Sequence, residues 1–195
     1  MTSLPPPGSA LRVTEPQALR ALAHPLRGKL LALLRLEGPS TASLLGRRIE
    51  QSSGSTSYHL RELARYGFVE EVERGTGRER WWQAAHRSSG WDTQDFTGED
   101  AEVADELQHR LVELRGRLLR AWLAQRRDPA PGWAGAATFN DLPMHLTREQ
   151  TERLTAELVD VLVRWRDEEQ LPAGTPGTQV VQVLADVFPL TDYPL

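Results

Sequence analysis

Residues 52–71, SSGSTSYHLRELARYGFVEE, gather four serines, a threonine, a tyrosine and a histidine ahead of a clean apolar periodicity. Serine and threonine are indifferent helix formers because their side chains compete for backbone hydrogen bonds, so their concentration on the leading turns needs a reason. Thr56, Leu60, Leu63 and Ala64 share one side at 3.6-residue spacing, and Ser55, Tyr58, Arg61, Glu62 and Arg65 take the other. Small hydroxyls and flexible polar groups on the first turns are what an approach into a major groove demands, since bulky apolar residues would clash there. The free N–H groups of those turns also favour a nearby phosphate. A second basic group follows in RGTGRER, where Arg74, Arg78 and Arg80 surround Gly75 and Gly77. Arginines at such a tight tip can enter a minor groove or clamp phosphates.

Other chemistry has weaker support. The chain has no cysteine, which excludes disulfides, thiolate metal sites and a cysteine nucleophile. There is no G-x-S-x-G, and the only base near the serines, His59, lies on their own helix. RGTG lacks both the strand-to-helix setting and the G-K-[ST] of a phosphate-cradling loop. No enzyme is expected; Asp141 and His145 are the only conceivable catalytic group. Asp105, His109 and Glu113, at i, i+4 and i+8, are the sole metal candidates, and a solvated polar stripe explains them better. Neither a metal nor a cofactor is expected. Trp91, Trp122, Trp133 and Trp165 could line a cavity for an effector, but filling a modest core is the favoured reading. His24, before Pro25, reads as a cap or core residue, and His86 and His145 fall in loops.

The elements that must position these groups follow from periodicity and punctuation. EPQALRALAHPLRGKLLALLRLEG reads as two helices broken at His24-Pro25, the first facing inward through Leu19, Leu22 and Ala23, the second through Leu26, Leu30, Leu31 or Leu33, and Leu34. Gly38-Pro39 stops the second, and Ser40 or Thr41 can cap a third, TASLLGRRIE, with Leu44, Leu45 and Ile49 inside. Gly67 ends the hydroxyl-rich helix. FVEEVE and RWWQAA form a hairpin in which Trp81 and Trp82 point to opposite faces. RSSGWDTQDFTG, residues 87–98, is polar and aperiodic and reads as a linker. The longest helix, 99–127, repeats Val103, Leu107, Leu111, Leu114, Leu118 and Trp122, with Val112, Leu119 and Leu123 widening the stripe. Beyond DPAPGWAG the pattern predicts strand, helix, strand, with Thr147 and Gln150 as a capping box and TQVVQVLADVF as the last strand.

Charge divides along the same line. Residues 1–90 carry +5 and residues 91–195 carry −9, within a net −4. A basic half facing a polyanion and an acidic half facing away fits that split. No run approaches the roughly 18 apolar residues of a membrane span, and MTSLPPPGSA has neither the basic nor the apolar region of a secretory signal. No membrane partner is expected, and the default location is cytoplasmic.

Three short helices, a helix with a polar outward face and a hairpin make a winged helix-turn-helix. LRALAHPLRGKLLALL, then S-x-S-T-S-Y-H-L-R-E-L-A-R-Y-G-F-V-E, then RGTGRERWW, closely resembles the ArsR-like winged-helix regulators over residues 15–86. The resemblance implies a homodimer on an inverted repeat of double-stranded DNA, with Ser53, Ser55, Ser57, Tyr58, His59 and Arg61 as candidate base readers. Arg65 shares their face, and Arg74, Arg78 and Arg80 match the wing. Thr56 matches a position that packs inward. The family's metal-sensing members use cysteines on the third helix or Asp/His/Glu sets on the terminal helix, and here the third helix has neither Cys nor His.

The expected architecture is therefore mainly α with small β. It comprises a disordered tail (1–10), the winged helix-turn-helix (11–88), a linker and dimerisation helix (89–127), and a C-terminal α/β dimerisation or sensor domain (128–195). Val103, Leu107, Leu111, Leu114, Leu118 and Trp122 are the expected dimer contacts. The expected function is a transcriptional regulator, open to a small-molecule effector bound without thiolates. Its rivals are an architectural DNA-binding protein and a winged-helix module for protein contacts.

Overall fold

Pro16 and Pro25 each stand at the start of a helix, where the missing N–H is no loss, and they open α1 (Pro16–Ala23) and α2 (Pro25–Glu37). The structure is a computed structural model that describes residues 10–74, 79–125, 133, 135–169, 171 and 174–190. His24 separates the two helices and caps the second, its Nδ1 accepting from the Leu26 N–H at 3.2 Å. Gly38, at φ 85°, ends α2 with its N–H donating to the Leu34 carbonyl. Thr41 Oγ1 caps α3 (Ala42–Arg48) at 3.3 Å from the Leu44 N–H. Ser52 Oγ caps α4 (Ser53–Arg65) at 3.2 Å from the Ser55 N–H.

The hairpin joins β3 (Val69–Val72) and β4 (Trp81–Ala84), with Val72 opposite Trp81. Trp82 is buried and Trp81 only half so, as the two-residue period requires. A third strand, β2 (Ser40–Thr41), pairs with the other edge of β4, so the residues that cap α3 also extend the sheet. A separate parallel pair joins β1 (Ala10–Arg12) to β5 (Ser88–Gly90). The segment read as an aperiodic linker thus contains a strand, a 3-10 turn at Thr93–Asp95 and the buried Phe96. Arg12 holds Asp95 through two hydrogen bonds, at 2.8 and 3.2 Å. Ala10, assigned from sequence to the tail, is the first residue of β1, and residues 1–9 lie outside the described residues.

Leu19, Leu30, Leu60, Leu63 and Phe68 are fully buried at the centre of the core that α1, α2 and α4 enclose. Leu44, expected inside α3, is exposed: the inward stripe of that short helix is Leu45 and Gly46, with Ile49 beside the core.

α5 (Glu99–Gln125) lies against α1. Arg20 reaches Asp100 at 2.8 Å and Glu99 at 3.5 Å at one end, and Arg110 Nη1 donates to the Ala23 carbonyl at 2.7 Å at the other. Ala104 and Leu107 are buried between these ties, and Val103 packs against the same core. Val103 and Leu107, expected at a dimer contact, are thus occupied within their own chain. Leu111 is half-buried, and Leu114, Leu118 and Trp122 are exposed.

α6 (Arg148–Arg164) begins at the expected capping box, Thr147 and Gln150 each accepting from the other's backbone N–H. It runs into a π turn at Trp165–Glu169. The flanking strands expected from sequence do not form: residues 137–146 and 178–190 are neither helix nor strand. The fold is mainly α with small β, and the described strands all lie before residue 91. The C-terminal α/β expectation holds for its helix alone, because an apolar alternation becomes a strand only when another edge is there to receive it.

Candidate nucleic-acid interface

α3 and α4 cross at Gly46, where a Cβ would sit 2.7 Å from the Gln51 carbonyl oxygen and 3.0 Å from Thr56 Oγ1. Only a glycine allows that approach. The intervening turn places Glu50 in the left-handed region at φ 57°. Thr56 is buried, and its hydroxyl donates to the Ser52 carbonyl at 2.9 Å, so its inward place costs no unpaired group.

The crossing fixes how α4 presents its side chains. Ser53, Ser57 and Arg61, on one side of the helix, open into a cleft of about 640 Å³ whose other walls are Thr41 and Ser43 from the start of α3 and Glu79, Arg80 and Trp82 from the hairpin. Ser43 Oγ donates to Glu79 at 2.9 Å across it. Arg80 pairs with Glu71 at 2.8 Å, and the Arg74 guanidinium lies 5.1 Å from the Trp81 ring centre. Arg78 lies outside the described residues. Tyr58 is 57% exposed on the outward side of α4. Arg65 is exposed too, its guanidinium 5.7 Å from the Tyr66 ring.

Ser55 and His59, also expected as readers, do not line this cleft. Ser55 is half-buried. His59 faces the α1–α2 break, its ring 4.5 Å from that of His24 and edge-on to Tyr58 at 5.3 Å. Its Nδ1 is buried with no hydrogen-bond partner among the described residues. Burial first, then His24 and Arg27, push the His59 pKa below the ordinary imidazole value against an opposing pull from Glu62. His24 is lowered by burial and by Arg27. Arg27 and Glu62, 3.8 Å apart, complete a half-buried cluster behind the helix. His59 thus positions α4 rather than lining its cleft.

Two contributions were not singled out from sequence. Ser43 and Thr41 were visible as hydroxyls in STAS, but Thr41 was explained as a cap and Ser43 drew no reading, because their place beside α4 depends on the helix crossing. Arg35 gave no signal at all. It donates to the His86 carbonyl at 3.0 Å and to Ser89 Oγ at 2.6 Å, and burial pulls its guanidinium down to about 10. It fastens α2 to the bend between β4 and β5, and so holds the hairpin's base.

The weaker candidates do not assemble. Asp105, His109 and Glu113 are exposed; His109 Nδ1 donates to the Asp105 carbonyl at 2.8 Å and Glu113 pairs with Arg117 at 3.8 Å. Among the described residues no three such side chains converge on a metal position. Trp91 is half-buried against the N-terminal core, Trp122 meets Phe139 at 5.1 Å on α5, Trp133 is half-buried, and Trp165 is exposed after α6. No ring contact joins any two of these four among the described residues. No described helix is long and apolar enough to cross a membrane.

Residues 22–72, from the end of α1 through β3, match a family model described as a helix-turn-helix domain. No curated protein matches the chain. Among solved structures, one similar chain is the homodimeric winged helix-turn-helix DNA-binding domain of Mb0332 from Mycobacterium bovis, described as a possible ArsR-family transcriptional regulator. It is 22% identical over 50% of this chain and 76% of that one, with a TM-score of 0.34. Another is reduced HlyU from Vibrio cholerae, 24% identical over 49% of this chain and 84% of that one, with a TM-score of 0.32.

Proposed function

We propose that the winged helix-turn-helix that forms the N-terminal half of this chain, with its match to the helix-turn-helix family and its ArsR-like motifs, binds double-stranded DNA, and that the chain is a homodimeric transcriptional regulator acting on an inverted repeat. One observation carries the reading: Ser53, Ser57 and Arg61 of α4 open into the same cleft as Arg80 at the base of the wing. A recognition helix needs small donors and one long bidentate donor toward the bases, with cations alongside for phosphates. Tyr58 extends that face outward, and Arg65 sits one turn beyond Arg61. A two-fold axis would set two such helices about 34 Å apart, one turn of DNA. The −9 charge of residues 91–195 supports their facing away from the duplex. Because the tryptophans that would line an effector cavity are spread over separate elements, the proposal carries DNA and a second copy as partners and no small molecule.

The test is binding of the purified chain to the DNA upstream of its own gene at two salt concentrations. Arg61→Ala should lower specific affinity by about 1–3 kcal/mol while sparing binding to random DNA. Arg80→Ala should weaken binding to all sequences alike and reduce the salt slope by about 1. Equal, weak binding to every sequence would favour the architectural reading, and a folded dimer that ignores DNA at low salt would favour a protein-interaction module.

A further inference from the structure

The C-terminal third of the chain holds a contradiction in its own terms. TQVVQVLADVF is β-branched and alternating, yet residues 178–190 form no ladder with any described residue of their chain. Their apolar side chains are open to water on both alternations: Val180 and Val181, consecutive and therefore opposed in a strand, are 71% and 64% exposed. Residues 136–146 behave alike, with Phe139 and Leu142 exposed. Two ties hold these segments beside α5: Asp186 pairs with Arg115, and Phe139 rests on Trp122. Leu118, Leu119 and Leu123, on the stretch of helix that carries those ties, are left uncovered.

We infer that residues 136–146 and 178–190 become strands only between chains, pairing with and covering a second copy of this protein. The exposed apolar side chains support that occupant: Leu118 and Leu123 on α5 and Phe139, Leu142, Val180 and Val181 on the two segments are each at least 39% exposed, and such apolar surface is what a homodimer interface covers. Charge argues against nucleic acid as the occupant, since residues 91–195 carry −9. A second copy that covers Leu118 and Trp122 must also meet the segments tied beside them. The inference rests on the homodimer of the proposed function, and it makes the C-terminal region a dimerisation element rather than a sensor.

The experiment is hydrogen exchange on the full chain across a dilution series whose dimer–monomer transition is followed by sedimentation. Amides of residues 179–188 should be protected in the dimer and exchange about 100-fold faster once it dissociates. Val181→Pro and Val183→Asp should each raise the dimer Kd about 100-fold, the first by removing a ladder donor and the second by burying a charge, with unfolding of the N-terminal half unchanged. Fast exchange of these amides within an intact dimer overturns the inference and leaves the homodimer standing. Protection that persists on dilution also overturns it, because the strands then form within one chain. A chain that is monomeric at every concentration overturns the homodimer reading as well. The wild-type measurement decides the matter even where a variant fails to fold.

Discussion

Leu60 on α4 and Leu118 on α5 are the same residue on the apolar stripe of an amphipathic helix, yet the first is fully buried and the second 39% exposed. The contrast extends to their regions. Every described buried apolar residue lies between Val13 and Leu107, and most of the large exposed ones lie beyond Leu111. α5 spans the change, its first turns closed by α1 and its later turns uncovered. Apolar content alone therefore does not define a core; a stripe is closed only where the same chain supplies the opposite wall.

The largest test of that contrast removes a side chain from each region. Phe68→Ala should destabilise the fold by about 3–5 kcal/mol, read from urea unfolding, because a fully buried ring leaves a cavity. Leu118→Asp should leave the N-terminal unfolding transition in place and shift the proposed dimer to monomer in sedimentation. Equal losses of stability from both would erase the distinction between the two halves.

A smaller effect is expected inside the closed region. Gly46→Ala should cost about 1–3 kcal/mol, since its Cβ would press on the backbone of Gln51, which cannot swing aside. DNA affinity should fall further than stability does, because the substitution tilts α4 against α3; a variant with normal affinity would show the crossing to be tolerant.

Acid should act on the same helix from behind. Both His24 and His59 are held below their ordinary pKa, chiefly by burial, so the unfolded chain takes up protons near pH 6.5 while the native cluster resists them. Stability is then complete above about pH 6.5 and drains away as the pH falls through the native values. The Tm should drop between pH 7 and pH 5, and His59→Gln should flatten that drop. An unchanged slope in the variant would place the acid-sensitive group elsewhere. The smallest expected change is Glu50→Gly, which relieves a left-handed backbone and should raise stability by up to about 1 kcal/mol in thermal unfolding.

How far the sequence could be read also follows the range of each interaction. His24, Gly38, Thr41 and Thr147 were legible as caps because a cap bonds within a few residues of itself. The inward Thr56 and the divided Trp81 and Trp82 followed from period alone. The β1–β5 pair was not legible, since it joins Ala10 to Ser88 across the length of the domain and neither tripeptide is apolar enough to announce a strand. Leu107 looked identical to Leu118 because periodicity reports a face without its partner. His59 matched a reading position by motif, but its orientation depends on where the α1–α2 break falls. The strand expected at 178–188 did not form: alternation in the sequence reports which side chains would share a face, and no described segment of the chain offers those residues an edge.

The two ties between α1 and α5 have a mechanical consequence. Arg20 with Asp100 and Arg110 with the Ala23 carbonyl join the helix to the winged-helix body at two points, on either side of the buried Ala104 and Leu107, so a tilt of one should carry the other. From Leu118 back to Ala104 the shaft is about 21 Å long at 1.5 Å per residue. A tilt of about 10° at the exposed end sweeps the clamped end through nearly 4 Å, slightly more than the 3.4 Å rise of one base pair. In the proposed dimer, the crossing angle of two such shafts would therefore act as a vernier, setting which helical phase of a duplex both heads engage at once.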